Sequence, residues 1–243
     1  MNNQTKPDFT NITTILFDMD GTLIEHTWQL SAITHTLFDR FAKQLKPLSH
    51  DDFFDLFWQK RNDMWYMMVD GILDGSTAAK YSYTNTLRTL GQNDALAGAM
   101  LAYWNELVLK EVATFEDTYE VLTALQSHYT TGILTNGYIT LQRAKINQFN
   151  LADYVDFTLV SEEAGYHKPD QRVFLKALDL AGNPHPMHTL YIGDNPISDI
   201  EGAKNAGLFP ILMDPRDDFS LGPEVVKIRQ LRQLLPLLKP SPQ

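Results

Sequence analysis

Two acids one residue apart close an apolar run: "ILFDMDGTLIE", residues 15–25, sets Asp18 and Asp20 just ahead of Gly21. Carboxylates at the end of a hydrophobic strand cost free energy unless something offsets their charge. Three other stretches end in groups that could take part in the same chemistry. "TTGILT" (130–135) ends at Thr135 and is followed by Asn136 and Gly137. The loop "SEEAGYHKPD" after "FTLV" (157–160) holds Lys168. "TLYIG" (189–193) runs into Asp194, with Asp199 five residues on. Several carboxylates at one rim suit a hard, oxygen-seeking cation, and Mg²⁺ typically takes one or two carboxylates together with waters and a substrate phosphate. A lysine and a threonine hydroxyl beside backbone N–H groups suit an oxyanion such as a phosphoryl group. A metal and a lysine together neutralise the charge spread over a phosphoryl group in transfer. The remaining carboxylate can move a proton.

These residues meet only if the elements carrying them do. "TTILFD" (13–18) has the β-branched, apolar character of a buried strand with a turn after it. From about 27 to 112 the spacing is helical only. "SHDDFFDLFWQKRNDMWYMMVDG" has a Ser/Asp start and Gly71 past its end, "GSTAAKYSYTNTLRTLG" offers Ser76 or Thr77 as N-cap and Gly91 as C-cap glycine, and "DALAGAMLAYWNELVLKEV" is a third long helix. From about 113 the chain alternates. Helical "FEDTYEVLTALQSHY", "LQRAKINQF", "DQRVFLKALDLAG" and "ISDIEGAKNAG" interleave with strands "TTGILT", "FTLV", "TLYIG" and "FPILM", and "IRQLRQLLPLL" is expected as a last short helix. Alternation of this kind implies a parallel sheet covered on both faces. The expected fold is therefore an α/β doubly wound parallel sheet, with a core of residues 1–25 and 113–243 and an inserted all-helical cap of residues 26–112. Ligands of such sheets lie outside the carboxyl ends of the strands, which is where all the singled-out groups fall.

Composition narrows the partners. The 243 residues are 44% hydrophobic and 21% charged, with no cysteine and a formal net charge of −10. Disulfides, thiolate metal sites and cysteine nucleophiles are excluded. The acidic balance, with no Lys/Arg-rich run, argues against nucleic acid and anionic membrane as partners. The N-terminal "MNNQTKPDFTN" lacks the apolar core of a signal peptide, and no stretch has the length of a membrane span, so the cytoplasm is the expected location. The seven histidines are scattered, and the closest pair, His185 and His188 around Pro186, is expected to be structural or solvent-exposed.

"DMDGT", "LTNG", "HKPD" and "GDNPISD" resemble, in order, the four motifs of the haloacid dehalogenase-like hydrolase superfamily, and the helical insert lies where that family carries its C1 cap. The resemblance implies a role for each residue. Asp18 is the nucleophile that becomes an aspartyl-phosphate. Asp20 protonates the leaving group and then activates water. Thr135 and the Asn136 backbone N–H hold phosphoryl oxygens, and Lys168 stabilises the charge on the nucleophile and the phosphoryl group. Mg²⁺ is held by the Asp18 carboxylate, the Asp20 carbonyl and Asp194, with Asp199 either supporting the metal through water or orienting Lys168. Singly, each residue has a bland reading: a strand-end acid, a turn former, a surface lysine, a helix N-terminal acid. None of these explains why all converge on one rim.

Within the family, dehalogenases lack an acid at the position of Asp20, which favours phosphoryl transfer. The insert's lysines, Lys43, Lys46, Lys60, Lys80 and Lys110, match no Schiff-base motif and are expected at the surface. The insert holds 13 of the 27 aromatics and all four tryptophans, Trp28, Trp58, Trp65 and Trp104. Most are expected in its core, with "DMWYMMVDG" (63–71) as the candidate wall for a ring-bearing leaving group. Small residues at Gly202 and Ala206 share a helix face and are expected to let that helix approach the sheet. "LTNGYITLQRAKINQFNLADYVDFTLVSEEAGYHKPDQRVF" looks most like the pyrimidine-nucleotidase and small-metabolite phosphatase branch. The expected activity is Mg²⁺-dependent hydrolysis of a small phosphomonoester such as a nucleoside 5'-monophosphate. A phosphosugar mutase or a phosphoglycolate or sugar phosphatase is the enzymatic alternative, and a non-catalytic binding protein on the same fold is the other one.

Overall fold

The computed structural model describes residues 9–26, 30–222 and 224–238. The first strand, β1 (Thr14–Phe17), reads TILF and is buried along its whole length. A short strand, β2 (Ile24–His26), precedes four helices: α1 (Leu30–Phe41), α2 (His50–Val69), α3 (Gly75–Thr89) and α4 (Ala97–Lys110). Strand β3 (Val112–Thr114) follows them. Then come α5 (Thr118–Gln126), β4 (Thr130–Thr135), α6 (Ile139–Gln148), β5 (Phe157–Val160), the one-turn α7 (Ser161–Ala164), α8 (Gln171–Leu180) and β6 (Thr189–Gly193). A π-turn over Pro196–Glu201 runs into α9 (Gly202–Asn205), and β7 (Phe209–Met213), β8 (Val226–Ile228) and α10 (Leu234–Leu237) complete the chain.

Six strands form one parallel sheet in the order β5–β4–β1–β6–β7–β8. Its register sets Phe17 of β1 level with Ile133 of β4 and Ile192 of β6. The residues that follow these three strands therefore emerge side by side. Strand alternation sends side chains to opposite faces. Ile15 and Phe17 join the core that includes Val121 and Leu122 of α5, while Leu16 joins Val173, Phe174 and Ala177 of α8. Both faces of the sheet are thus covered by helices, which is why its strands are apolar throughout.

The structure departs from the expected elements in several places. β2 and β3 pair antiparallel, Ile24 with Thr114 and His26 with Val112, so the two connections between sheet and helical insert form a ribbon. Asp74, not Ser76 or Thr77, caps α3: it accepts from the Thr77 backbone N–H at 2.8 Å, and the Ser76 and Thr77 hydroxyls donate to it. A carboxylate outcompetes a hydroxyl as acceptor because its bonds are charge-assisted. The segment expected as a last helix from residue 228 opens as the end of β8, where Ile228 lies level with Met213, and only Leu234–Leu237 is α-helical. At Gly202 a Cβ would lie 2.8 Å from the Phe174 ring and 3.0 Å from Pro169 Cα, so the glycine admits α8 and the lysine loop, while Ala203 and Ala206 pack with Leu16 and Tyr191 of the sheet as expected. No helix among the described residues is long and apolar enough to cross a membrane.

In the insert, α2 starts at a capping box between Ser49 and Asp52 and ends before Gly71, whose φ is 71°. Trp104 is buried with Phe57 and Tyr83, whereas Trp58 and Trp65 are partly exposed, and Trp28 lies outside the described residues. The insert also brings together two histidines far apart in sequence. His35 of α1 stacks on His50 at the start of α2, and His50 Nδ1 lies 3.1 Å from an Asp51 oxygen. The histidines are therefore not all scattered, although this cluster is not at the strand ends. His185 and His188 have ring centroids 5.4 Å apart.

Candidate active site

Asp18 follows β1 and is anchored by its own N–H, which donates to Ile192 O of β6 at 2.8 Å. Its carboxylate is buried, and Lys168 Nζ lies 2.8 Å from Oδ1. The same ammonium donates to Asp199 Oδ1 at 2.6 Å and to Tyr191 Oη at 2.8 Å, so all three of its hydrogens are engaged. Lys168 is 2% exposed. Its backbone is gripped by Asn136: Asn136 Oδ1 accepts from Lys168 N and Asn136 Nδ2 donates to Lys168 O, both at 2.9 Å. The Asn136 side chain thereby fixes the lysine loop against the end of β4. The Lys168–Pro169 peptide is cis.

Asp199 is fully buried inside the π-turn, a local widening of the helix often found at functional sites. Both of its oxygens are occupied, Oδ1 by Lys168 and Oδ2 by the Asn195 N–H at 2.9 Å. Asp194 stands against the turn after β1. Gly21 has φ 81°, and a Cβ at that position would lie 2.1 Å from Asp194 Oδ2, so the glycine is required both by the backbone and by the carboxylate beside it. Carboxylate oxygens of Asp18, Asp194 and Asp199 lie within 4.8 Å of one another.

Burial raises the Asp18 pKa well above the ordinary carboxylate value. Lys168 opposes that shift, and Asp199 and Asp194 reinforce it. Burial and then Asp199 push Asp194 up to about 7, again against Lys168. Burial alone would lower the Lys168 pKa, but the Asp18 and Asp199 carboxylates outweigh it and hold the ammonium above the ordinary lysine value. These directions share one cause: carboxylates outnumber cations in a space poor in water. A hard divalent cation held by oxygen atoms is the group that this donor set fits, and among the described residues no histidine or cysteine ligand stands with it.

Asp20 points to α6. Lys145 Nζ lies 2.7 Å from its Oδ1, and Gln142 Nε2 lies 2.8 Å from its Oδ2. Gln142 also donates to Thr135 Oγ1 at 2.8 Å and Asn136 O at 3.1 Å. The structure thus brings Asp18, Asp20, Thr135, Asn136, Lys168, Asp194 and Asn195 around one cleft of about 350 Å³. Asp199 stands behind Lys168. Trp65, Tyr66 and Val69 of α2 and Ile197 of the π-turn also line this cleft. None of the insert's five lysines singled out above lines this cleft. Three buried members escaped the sequence reading: Lys145 and Gln142, which read as ordinary residues of a surface helix, and Tyr191, which reads as a core residue of β6.

The insert is tied to the sheet edge by Glu162. Its Oε1 accepts from the N–H of Gly75, the first residue of α3, at 2.5 Å, and its Oε2 from the N–H of Ile139, the first of α6, at 2.7 Å. One carboxylate thus serves two helix N-termini, the place where negative charge is favoured.

Comparison with known proteins gives a consistent picture. The profile of the haloacid dehalogenase-like hydrolase family matches residues 12–207. The ribulose-1,5-bisphosphate 5-phosphatase of Halopiger xanaduensis is 30% identical over 214 residues, 85% of this chain and 86% of that one. The pyrimidine 5'-nucleotidase YjjG of Escherichia coli is 42% identical over 88 residues, which is 36% of this chain and 39% of the nucleotidase. In structure, the magnesium-bound hydrolase YfnB of Bacillus subtilis superposes with a TM-score of 0.69 at 23% identity, covering 93% of this chain and 98% of that one, a likeness of fold.

Proposed function

The chain belongs to the haloacid dehalogenase-like hydrolase family, and from that premise we propose that it is a Mg²⁺-dependent phosphomonoester hydrolase working through an aspartyl-phosphate on Asp18. Phosphatase activity is what the family and the named relatives support. The observation that carries the mechanism is the Lys168 ammonium 2.8 Å from a buried Asp18 carboxylate at the floor of a cleft lined by Thr135 and Asn136.

A carboxylate is a poor nucleophile toward a phosphate anion because the two repel each other. Lys168 cancels part of that repulsion and fixes Asp18 for in-line approach, and positioning of this kind can remove roughly 7–11 kcal/mol of barrier. The Asp18 and Asp194 carboxylates and the Asp20 carbonyl would hold the Mg²⁺, which supplies the positive charge that this carboxylate-rich site lacks. Asp199, with both oxygens engaged, acts by orienting Lys168. Thr135 Oγ1 and the Asn136 backbone N–H are placed to receive phosphoryl oxygens, and Asp20 to exchange a proton with the leaving group and then with water. Lys168 meets the phosphoryl group when that group reaches Asp18.

The leaving group lies toward Trp65, Tyr66, Val69 and Ile197. Two aromatic rings lining the cleft favour a flat, ring-bearing alcohol, and a nucleoside 5'-monophosphate is the substrate class proposed. A sugar phosphate is the second reading, favoured by the similarity over most of the chain to a sugar bisphosphate phosphatase. A panel of phosphorylated metabolites with Mg²⁺ separates the two. The nucleotide reading expects the highest kcat/KM on nucleoside monophosphates and a selective loss there in Tyr66→Ala. Preference for sugar phosphates, unchanged by Tyr66→Ala, supports the second. A mutase would isomerise a hexose phosphate with little phosphate release, and inactivity on the whole panel contradicts the phosphatase reading.

A further inference from the structure

Helix α6 carries a buried lysine that the chemistry above does not use. Lys145 and Gln142 lie three residues apart on one helix face, and each is 3% exposed. A lysine that deep must be paired, since an isolated buried ammonium is strongly unfavourable. Its partner is Asp20, 125 residues away in sequence.

We propose that Lys145 is the positioning residue of Asp20, holding one carboxylate oxygen as a fixed pivot while Gln142 releases the other to the substrate. The proposal rests on Asp20 being the acid–base residue of the phosphatase reaction. The two oxygens of Asp20 are held unequally. Oδ1 receives its bond from the Lys145 ammonium at 2.7 Å, an ion pair as well as a hydrogen bond and so the stronger of the two. Oδ2 receives one from Gln142 Nε2, which has two hydrogens but three acceptors within 3.1 Å: Asp20 Oδ2, Thr135 Oγ1 and Asn136 O. When Oδ2 leaves, both hydrogens of Gln142 keep a partner, so its release strands no buried donor.

An ammonium only donates, so it can serve Oδ1 only as an acceptor, and the proton that Asp20 handles resides on Oδ2. That proton passes to the bridging ester oxygen as its bond to phosphorus breaks and the phosphorus–oxygen bond to Asp18 forms. The Asp20 carboxylate left behind stays neutralised by Lys145. Oδ2 then takes a proton from the water that attacks the aspartyl-phosphate, which frees Asp18 and restores the starting acid.

The test uses esters that differ in their need for a proton. p-Nitrophenyl phosphate has a leaving group that departs unaided, whereas a primary alkyl phosphate needs protonation. General acid catalysis is worth on the order of 10²–10⁴. Lys145→Met should therefore lower kcat/KM for the alkyl ester by on the order of 10² and for the aryl ester by less than about tenfold. The double variant Lys145→Met/Asp20→Asn should be no slower than Asp20→Asn alone, as expected of groups acting as one unit. Should Lys145→Met fail to fold, Lys145→Arg, which keeps the cation but shifts its donors, carries the same comparison, with a smaller loss again confined to the alkyl ester. Equal losses on both esters in a folded variant, or no loss on either, overturn the proposal. A wild-type enzyme inactive on both esters and on the metabolite panel overturns the phosphatase reading itself and the proposal with it.

Discussion

The Lys168 ammonium lies 2.8 Å from Asp18 Oδ1, and both side chains are buried where β1 ends. Truncating one partner of such a pair leaves the other charge buried and uncompensated, which typically destabilises by 3–5 kcal/mol. Lys168→Met strands Asp18 and Asp199 together. We expect a loss of about 3–5 kcal/mol in urea unfolding without metal, and a fall in kcat of on the order of 10²–10³ with Mg²⁺ present. Unchanged unfolding in Lys168→Met would show that the pair does not form in solution.

Gly21→Ala tests the metal-side carboxylate. The new Cβ would lie 2.1 Å from Asp194 Oδ2 at a φ of 81°, so Asp194 must move. The left-handed backbone costs about 1–2 kcal/mol for a residue with a Cβ. The larger effect is expected on the cation: the Mg²⁺ concentration giving half-maximal activity should rise at least about tenfold as a ligand is displaced. Titrating activity and melting temperature with Mg²⁺ reads both. A Gly21→Ala enzyme with wild-type Mg²⁺ dependence would remove Asp194 from the proposed ligand set.

Much of this arrangement is legible in the sequence because strands and turns are local. The apolar run of β1 and the acids that follow it depend on a few adjacent residues, as do the polar groups that follow β4 and β6, and the rule that ligands lie beyond the carboxyl ends of parallel strands puts them on one rim. What escapes depends on separation. Lys145 and Gln142 sit in "LQRAKINQF", where polar residues at helical spacing read as a solvated face, and only the sheet order brings them to Asp20. Tyr191 reads as strand core until its hydroxyl is found on Lys168. The cap at Asp74 is not legible because Asp74, Ser76 and Thr77 lie within four residues and each could accept the bond, and charge decides among them. β8 has three residues, too few for its alternation to stand out.

Glu162 holds the insert to the edge of the sheet through the first N–H groups of α3 and α6. Glu162→Ala loses both bonds and the charge at two helix starts, each worth about 0.3–1 kcal/mol. Hydrogen exchange should speed at the starts of α3 and α6 together and not in β1 or β6. Faster exchange in α6 alone would mean that the carboxylate does not bridge the two.

Asp74 makes the stability of α3 depend on acid. Bonds from the Thr77 side chain and backbone and from Ser76 hold its carboxyl down to about 2, from an ordinary 3.8. A depressed carboxyl contributes stability above its unfolded value and loses it as pH falls through its folded one. The contribution is therefore complete above about pH 4 and gone near pH 2. Asp74→Ala should cost about 1 kcal/mol at pH 7, with the gap from wild type closing over that window. A gap of constant size across it would assign the loss to packing rather than to the charged cap.

The central claim, that Asp18 takes the phosphoryl group, is tested most directly by rapid quenching of the Mg²⁺-loaded enzyme during turnover, followed by peptide mass mapping. The peptide containing Asp18 should carry one phosphoryl group, removed by hydroxylamine as an acyl phosphate is, and absent in Asp18→Asn together with phosphate release. A phosphoryl group found on another residue, or phosphate released by Asp18→Asn at the wild-type rate, would contradict it.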